Sequence, residues 1–288
     1  MTVIVAQNLR GLCMRYTIDH DLHIHSRFSI CSSDARQTPE AILAYGLASG
    51  FRLLALTDHA WDDEIECPTP FKWRTLNDAK ALLPLPQSPK CRFVFGLEAD
   101  MNCFDTLGIT PQHTQELELC LLSASHMHSY QFGSHPDLHT QSPEESAARY
   151  KKRLHLMMDA PLPFEKCGLT HFTCGSVCPQ APIDWLKLLS DRELEDIFTK
   201  AATKGMGIEL NFNPDGYNQE DLKIILHPYF IAKKAGCTFY FGGDAHHPEG
   251  FFATRSRFEK IVDLLELEEK HKFPYVTETI AKANAESN

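Results

Sequence analysis

Seven times along the chain an apolar, β-prone run stops at a residue able to bind a metal ion. These ends are His23-Ile24-His25, Thr57-Asp58-His59, Gly96-Leu97-Glu98, Ser125-His126, Thr170-His171, Glu209-Leu210-Asn211 and Asp244-Ala245-His246. Imidazole and carboxylate donors suit hard and borderline divalent cations, and catalytic sites of this kind collect ligands from several elements. His23 and His25 stand two apart on an extended strand end, so both side chains point to one side and can converge on one ion. Asp21 shares that side and could orient a ring nitrogen from behind, a solvated strand aspartate being the plainer alternative. Glu98 has two carboxylate oxygens and can bridge two cations, which a histidine normally cannot. Gathered at one rim, such ends would form a polynuclear centre for metal-assisted hydrolysis.

The elements that must position these residues alternate. Thr38 caps a helix with Pro39 at its first position, and Ile42, Leu43 and Leu47 keep helical spacing until Gly50. Apolar runs over 52–56, 91–97 and 118–124 read as buried strands, with a helix over 75–83 between the first two. Ser142-Pro143-Glu144-Glu145 is a capping box opening a helix that reaches about Met158, and Ser190 with Glu193 opens another closed by Gly205. Strands over 207–212 and 238–242 flank a helix over 219–235, and a last helix covers 256–270. This alternation implies parallel strands with helical crossovers. An open doubly wound sheet would put ligands only near its switch point, whereas a closed barrel gathers them from every strand at one face. The expected fold is an α/β barrel in a single domain over 1–288, its core over about 18–260 with a C-terminal helix after it.

Composition agrees with such a domain. The 288 residues are 43% hydrophobic and 23% charged, and no apolar run approaches the roughly 18 residues of a membrane-spanning helix. The first dozen residues are too weakly hydrophobic for a secretion signal, so a cytoplasmic location is expected. Ten dispersed cysteines without Cys-x-x-Cys spacing read as reduced thiols. A net charge of −10 argues against long nucleic acid, which is bound through clustered Lys and Arg.

Asp21-Leu22-His23-Ile24-His25, Thr57-Asp58-His59, Gly96-Leu97-Glu98, Ser125-His126 and Gly243-Asp244-Ala245-His246 stand in the order and at the intervals of the polymerase and histidinol phosphatase (PHP) family of metal-dependent phosphoesterases, which the chain resembles over about 18–260. The resemblance implies a distorted seven-stranded (β/α)7 barrel with a site for two or three divalent ions, zinc, manganese or iron. It assigns His23, His25, Glu98 and Asp244 to a first ion, Glu98, His126 and His171 to a second, and His59 and His246 to a third. The third site's further ligand would be Cys31 or Asp34, or the third ion is weak or absent; Cys31 packing as a small apolar residue is the competing reading. Glu209 and Asn211 match a Glu-x-Asn pair that supports the site. Glu98, Asp244 and His246 are the expected catalytic residues.

A phosphoryl group needs a cation whose fork matches two oxygens. Arg27 is the first candidate, and Arg149 and Arg153, in a segment resembling the Tyr-x-x-Arg-Leu helix of histidinol phosphatases, are the others. His128, His135 and His139 read as solvated or lid residues. The expected activity is hydrolysis of a phosphomonoester of a small metabolite, histidinol phosphate being the named guess. A phosphodiesterase or exonuclease on nucleotides and a noncatalytic metal-binding barrel are the alternatives.

Overall fold

In the computed structural model, which describes residues 14–66, 74–128 and 141–286, seven strands pair in sequence order, each parallel to the next. They are β1 (His20–Asp21), β2 (Leu53–Leu56), β3 (Arg92–Asp100), β4 (Leu119–Ser123), β5 (Cys167–Leu169), β6 (Gly207–Leu210) and β7 (Thr238–Phe241). The last returns to the first: the Leu22 amide donates to the Phe241 carbonyl at 2.9 Å, and Ile24 bridges Ala245 in parallel. Sequential order with this return makes a nearly closed α/β barrel and excludes the reversed strand order of a doubly wound sheet.

The helices are α1 (Pro39–Ala48), α2 (Leu76–Lys80), α3 (Pro111–Glu116), α4 (Pro143–Asp159), α5 (Asp191–Lys204), α6 (Gln219–Lys234), α7 (Thr254–Leu265) and α8 (Pro274–Glu286). The Thr38 side chain caps α1, reciprocal capping boxes open α4 and α5, and α5 ends on Gly205 at φ 75°. The helix expected over 75–83 stops at Lys80; Pro84 follows shortly and pushes its predecessor out of the helical region. The helix expected over 256–270 ends at Leu265, and a further helix that the sequence reading did not include follows beyond it. Glu266, at φ 48°, breaks the first, and Pro274 begins the second. Thr110-Pro111 caps α3, a short helix absent from the sequence reading.

α8 has a reason to exist that lies outside its own segment. Phe273, Val276 and Ile280 pack with Leu22, Leu53, Ala55, Val94, Leu119, Leu121 and Tyr240 in a core of their own, apart from the larger core between barrel and helices. α8 thus plugs the end of the barrel where the strands begin. Within it, a Cβ on Gly168 would lie 2.5 Å from the Tyr240 hydroxyl, so only glycine leaves room for that ring. The approach to α8 is latched to β1. Lys272 Nζ lies 3.2 Å from both Asp19 oxygens and 2.6 Å from Glu269 Oε1, and the His20 Nε2 accepts the Phe241 amide at 3.0 Å while its Nδ1 donates to Asp19 at 3.0 Å.

Candidate metal centre

At the opposite end the inner strand positions change character. On β3, alternation sets Val94, Gly96, Glu98 and Asp100 on one face; Val94 belongs to the inner core, and Glu98 and Asp100 reach the rim. β3 runs two residues past the expected end, so Asp100, which sequence reading missed, joins the site. Its signal was available in the same i, i+2 spacing that pairs His23 with His25.

Glu98 is fully buried, and four imidazoles turn Nε2 towards it: His23 at 3.0 Å, His25 at 3.3 Å, His171 at 3.2 Å and His59 at 3.4 Å. Each is held from behind through Nδ1. Glu209 Oε1 holds His23 at 2.6 Å, the Ser29 hydroxyl holds His25 at 3.2 Å, the Asn211 side-chain amide holds His171 at 2.6 Å, and Asp100 Oδ2 holds His59 at 2.8 Å. A carboxylate can only accept, so Glu209 takes the Nδ1–H of His23 and leaves Nε2 as the nitrogen that a cation could bind in place of a proton. Glu209 also accepts the His171 backbone amide at 2.9 Å.

Asp244 lies across from Glu98, its Oδ1 3.1 Å from His25 Nε2 and 3.6 Å from His23 Nε2. That oxygen is buried and accepts no hydrogen bond. Asp244 and His171 both sit in the left-handed region, at φ 53° and 54°, a strained conformation for residues other than glycine and one that clusters at functional sites. A Cβ on Gly242 would fall 2.1 Å from Glu209 Oε1, so the close approach of β7 to the carboxylate requires glycine there.

Among the described residues, four sets of side chains bring their ligand atoms within 4.8 Å of one another: His23, His25 and Asp244; His59, Glu98, Asp100 and His126; His23, His171 and Glu209; and His25, Cys31 and His246. The donor set fits borderline or hard divalent cations. The electrostatics agree. Burial would raise the Glu98 carboxyl, but His59, His23, His171 and His126 hold it well below the carboxylate range; burial would lower the His23 and His59 imidazoles, but the carboxylates beside them raise both well above the ordinary histidine value. Positive charge is what these carboxylates are arranged to receive.

His126 Nδ1 lies 2.6 Å from Asp100 Oδ1 and 4.0 Å from Glu98, so it meets Asp100 more closely than the expected bridge. His59 likewise sits with Glu98, Asp100 and His126 rather than with His246. His246 stacks on His25 at a ring separation of 4.4 Å and donates Nδ1–H to the Asp244 carbonyl at 2.9 Å. Asp34 is turned away, paired with Arg36 at 3.0 Å. Asp21 holds no imidazole and is not solvated; it accepts the Gly243 amide at 2.7 Å and the Tyr45 hydroxyl at 2.9 Å, tying β1 to β7. Arg149 and Arg153 are buried, and both donate to Asp105, Arg149 also to the Cys103 carbonyl and Arg153 to the Asn102 carbonyl. Arg27 is exposed, two residues beyond His25. His128 lies beside His126, and His135 and His139 fall outside the described residues.

No protein-family model matches the sequence, and no curated protein does. Among solved structures, the chain is similar to a histidinol phosphate phosphatase from Lactococcus lactis subsp. lactis Il1403, solved with zinc, L-histidinol and phosphate. The two share 14% identity and a TM-score of 0.56 over 88% of this chain and 98% of that one. This likeness is one of fold. A chain of an archaeal ribonuclease P with mature tRNA follows at TM-score 0.44 and 11% identity over 92% of this chain and 90% of that one, too loose a likeness to bear on function.

Proposed function

We propose that the chain is a metal-dependent phosphomonoesterase of the PHP type acting on a small phosphorylated metabolite, with histidinol phosphate the first substrate to try. The observation that carries this reading is the ring of four Nε2 atoms around the buried Glu98 carboxylate, each imidazole tethered from behind. The shared barrel of a zinc-containing histidinol phosphate phosphatase supports it. His23, His25 and Asp244 would hold one cation and His59, Glu98, Asp100 and His126 another, with Glu98 near both. Cations bound there would lower the pKa of a coordinated water and neutralise phosphoryl charge.

The chain's own residues do the rest. Among the described residues Asp244 Oδ1, buried and accepting no hydrogen bond, has its lone pairs available to a cation shared with His23 and His25. Arg27, exposed two residues beyond His25, would pair with two phosphate oxygens. Glu209, Asp100, Ser29 and Asn211 hold the imidazoles so that no reorganisation is needed when substrate arrives.

Metal analysis of the purified protein, with turnover of histidinol phosphate, p-nitrophenyl phosphate and its bis ester, tests this reading. Bound divalent metal with hydrolysis of the monoesters is expected. Preference for the bis ester would make it a diesterase, and metal without turnover of either ester would make it a binding barrel.

A further inference from the structure

β1 and β7 end at Asp21 and Phe241, yet the segments after them run on side by side while they carry His23, His25 and Asp244. The Asp244 amide donates to the His23 carbonyl at 2.6 Å, and the His25 amide donates to the Ala245 carbonyl at 3.0 Å. A side chain supplies the next link. Gln37 Nε2 donates to the His25 carbonyl at 2.9 Å and to the Ala245 carbonyl at 3.2 Å, so one nitrogen holds a residue of each segment. A side-chain amide carries two hydrogens on that nitrogen, one for each carbonyl.

Gln37 is itself firmly placed. It is fully buried, its backbone carbonyl accepts the Arg27 amide at 2.8 Å, and its backbone N–H donates to the Asp34 carbonyl at 3.0 Å, immediately before the Thr38 cap of α1. Among the described residues its Oε1 is buried and accepts no hydrogen bond, so the amide is oriented for its nitrogen at the expense of its oxygen. Asp244 stands between Ala245 and Gly243, whose carbonyl accepts Arg257 Nη2 at 3.1 Å, and its left-handed backbone at φ 53° is therefore held from both sides.

We propose that Gln37 is a positioning residue for the cation of His23, His25 and Asp244. By tying together the two backbones that carry them, it sets the separation of the His25 imidazole from the Asp244 carboxylate, whose ligand atoms stand 3.1 Å apart. The inference rests on the metal-centre reading above and deepens it. Gln37 bonds to carbonyl oxygens and not to the donor atoms, so it acts through where the ligands stand, as groups behind a metal ligand do.

Chelator competition on the zinc-loaded protein, resolved equivalent by equivalent beside a urea titration of the metal-free chain, tests this without reference to turnover. Gln37→Met keeps the length of the side chain and removes both hydrogens. It is expected to weaken one equivalent of zinc about 10- to 100-fold and spare the rest, with the urea midpoint of the metal-free chain little altered. Gln37→Glu, the same shape with an oxygen facing both carbonyls, should weaken that equivalent at least as far. Thr38→Ala controls for loosening of the neighbourhood. The Thr38 hydroxyl accepts the Ala41 amide at 3.3 Å to cap α1, so this variant should lower the urea midpoint and keep wild-type zinc affinity. Wild-type affinity at every equivalent in Gln37→Met, or an equal loss in Thr38→Ala, would overturn the proposal, as would unfolding of both Gln37 variants without metal, which would make Gln37 a residue of the fold. A wild type that binds no zinc would overturn the metal-centre reading with it.

Discussion

Both ends of the barrel bury histidines among carboxylates, and they answer the charge differently. At the end closed by α8, Asp19 and Glu269 meet Lys272, and both nitrogens of His20 have partners. At the rim, Glu98, Asp100, Asp244 and Glu209 face imidazoles, and among the described residues none of the four pairs with a lysine or arginine. A lysine makes the lower cluster complete as the chain stands, so it can act as a latch. The upper cluster gathers four carboxylates around imidazoles alone, and divalent cations are the natural complement.

Substitutions at the two ends should therefore separate activity from stability. Glu98→Gln should keep the fold and lose metal, with phosphatase turnover falling by about 1,000-fold or more, since several kcal/mol of transition-state stabilisation is at stake; a variant with full activity would refute the bridging role. Lys272→Met should do the reverse. It strands two acidic groups and should lower unfolding free energy by about 3 kcal/mol in a urea titration while leaving metal content unchanged. Asp100→Asn sharpens the comparison, because Asp100 holds both His59 and His126; metal affinity should fall about 10- to 100-fold by competition with a chromophoric chelator, with the urea midpoint little altered.

The smallest effect is the acid limb. Burial raises the Asp19 carboxyl, but His20 and Lys272 outweigh it and hold its pKa below the usual carboxylate value. A folded-state pKa below the unfolded one contributes stability above the unfolded value of about 3.9, and that contribution is lost as pH falls through the folded value. Stability measured from pH 6 down to about pH 2 should fall less steeply in Asp19→Asn than in wild type. Equal slopes would remove Asp19 from the latch.

Much of this was legible in the residues, for identifiable reasons. Parallel strands alternating with capped helices followed from hydrophobic period and from Thr38, Ser142 and Ser190, whose capping acts within one turn. The convergence of His23 with His25 followed from two-residue alternation. Asp100 escaped because β3 was taken to end at Glu98, although the same alternation pointed to it. The ends of α2 and α7 were misjudged because the Pro84 neighbourhood and a left-handed Glu266 are local events that apolar spacing does not report. α8 was missed because its apolar face is needed only once a barrel exists to be plugged.

What the sequence by itself determined is the set of chemically competent ends and the order in which a chain of alternating elements must deliver them, because propensity, capping and side-chain parity act over a few residues. Which donors stand close enough to share an ion was decided by the pairing of strands and closure of the barrel. Pairing of β2 with β3 brings His59 to Asp100, and only when β7 lies against β1 does Cys31 rather than Asp34 face His246 and does Glu209 reach behind His23, since these contacts join side chains far apart in the chain.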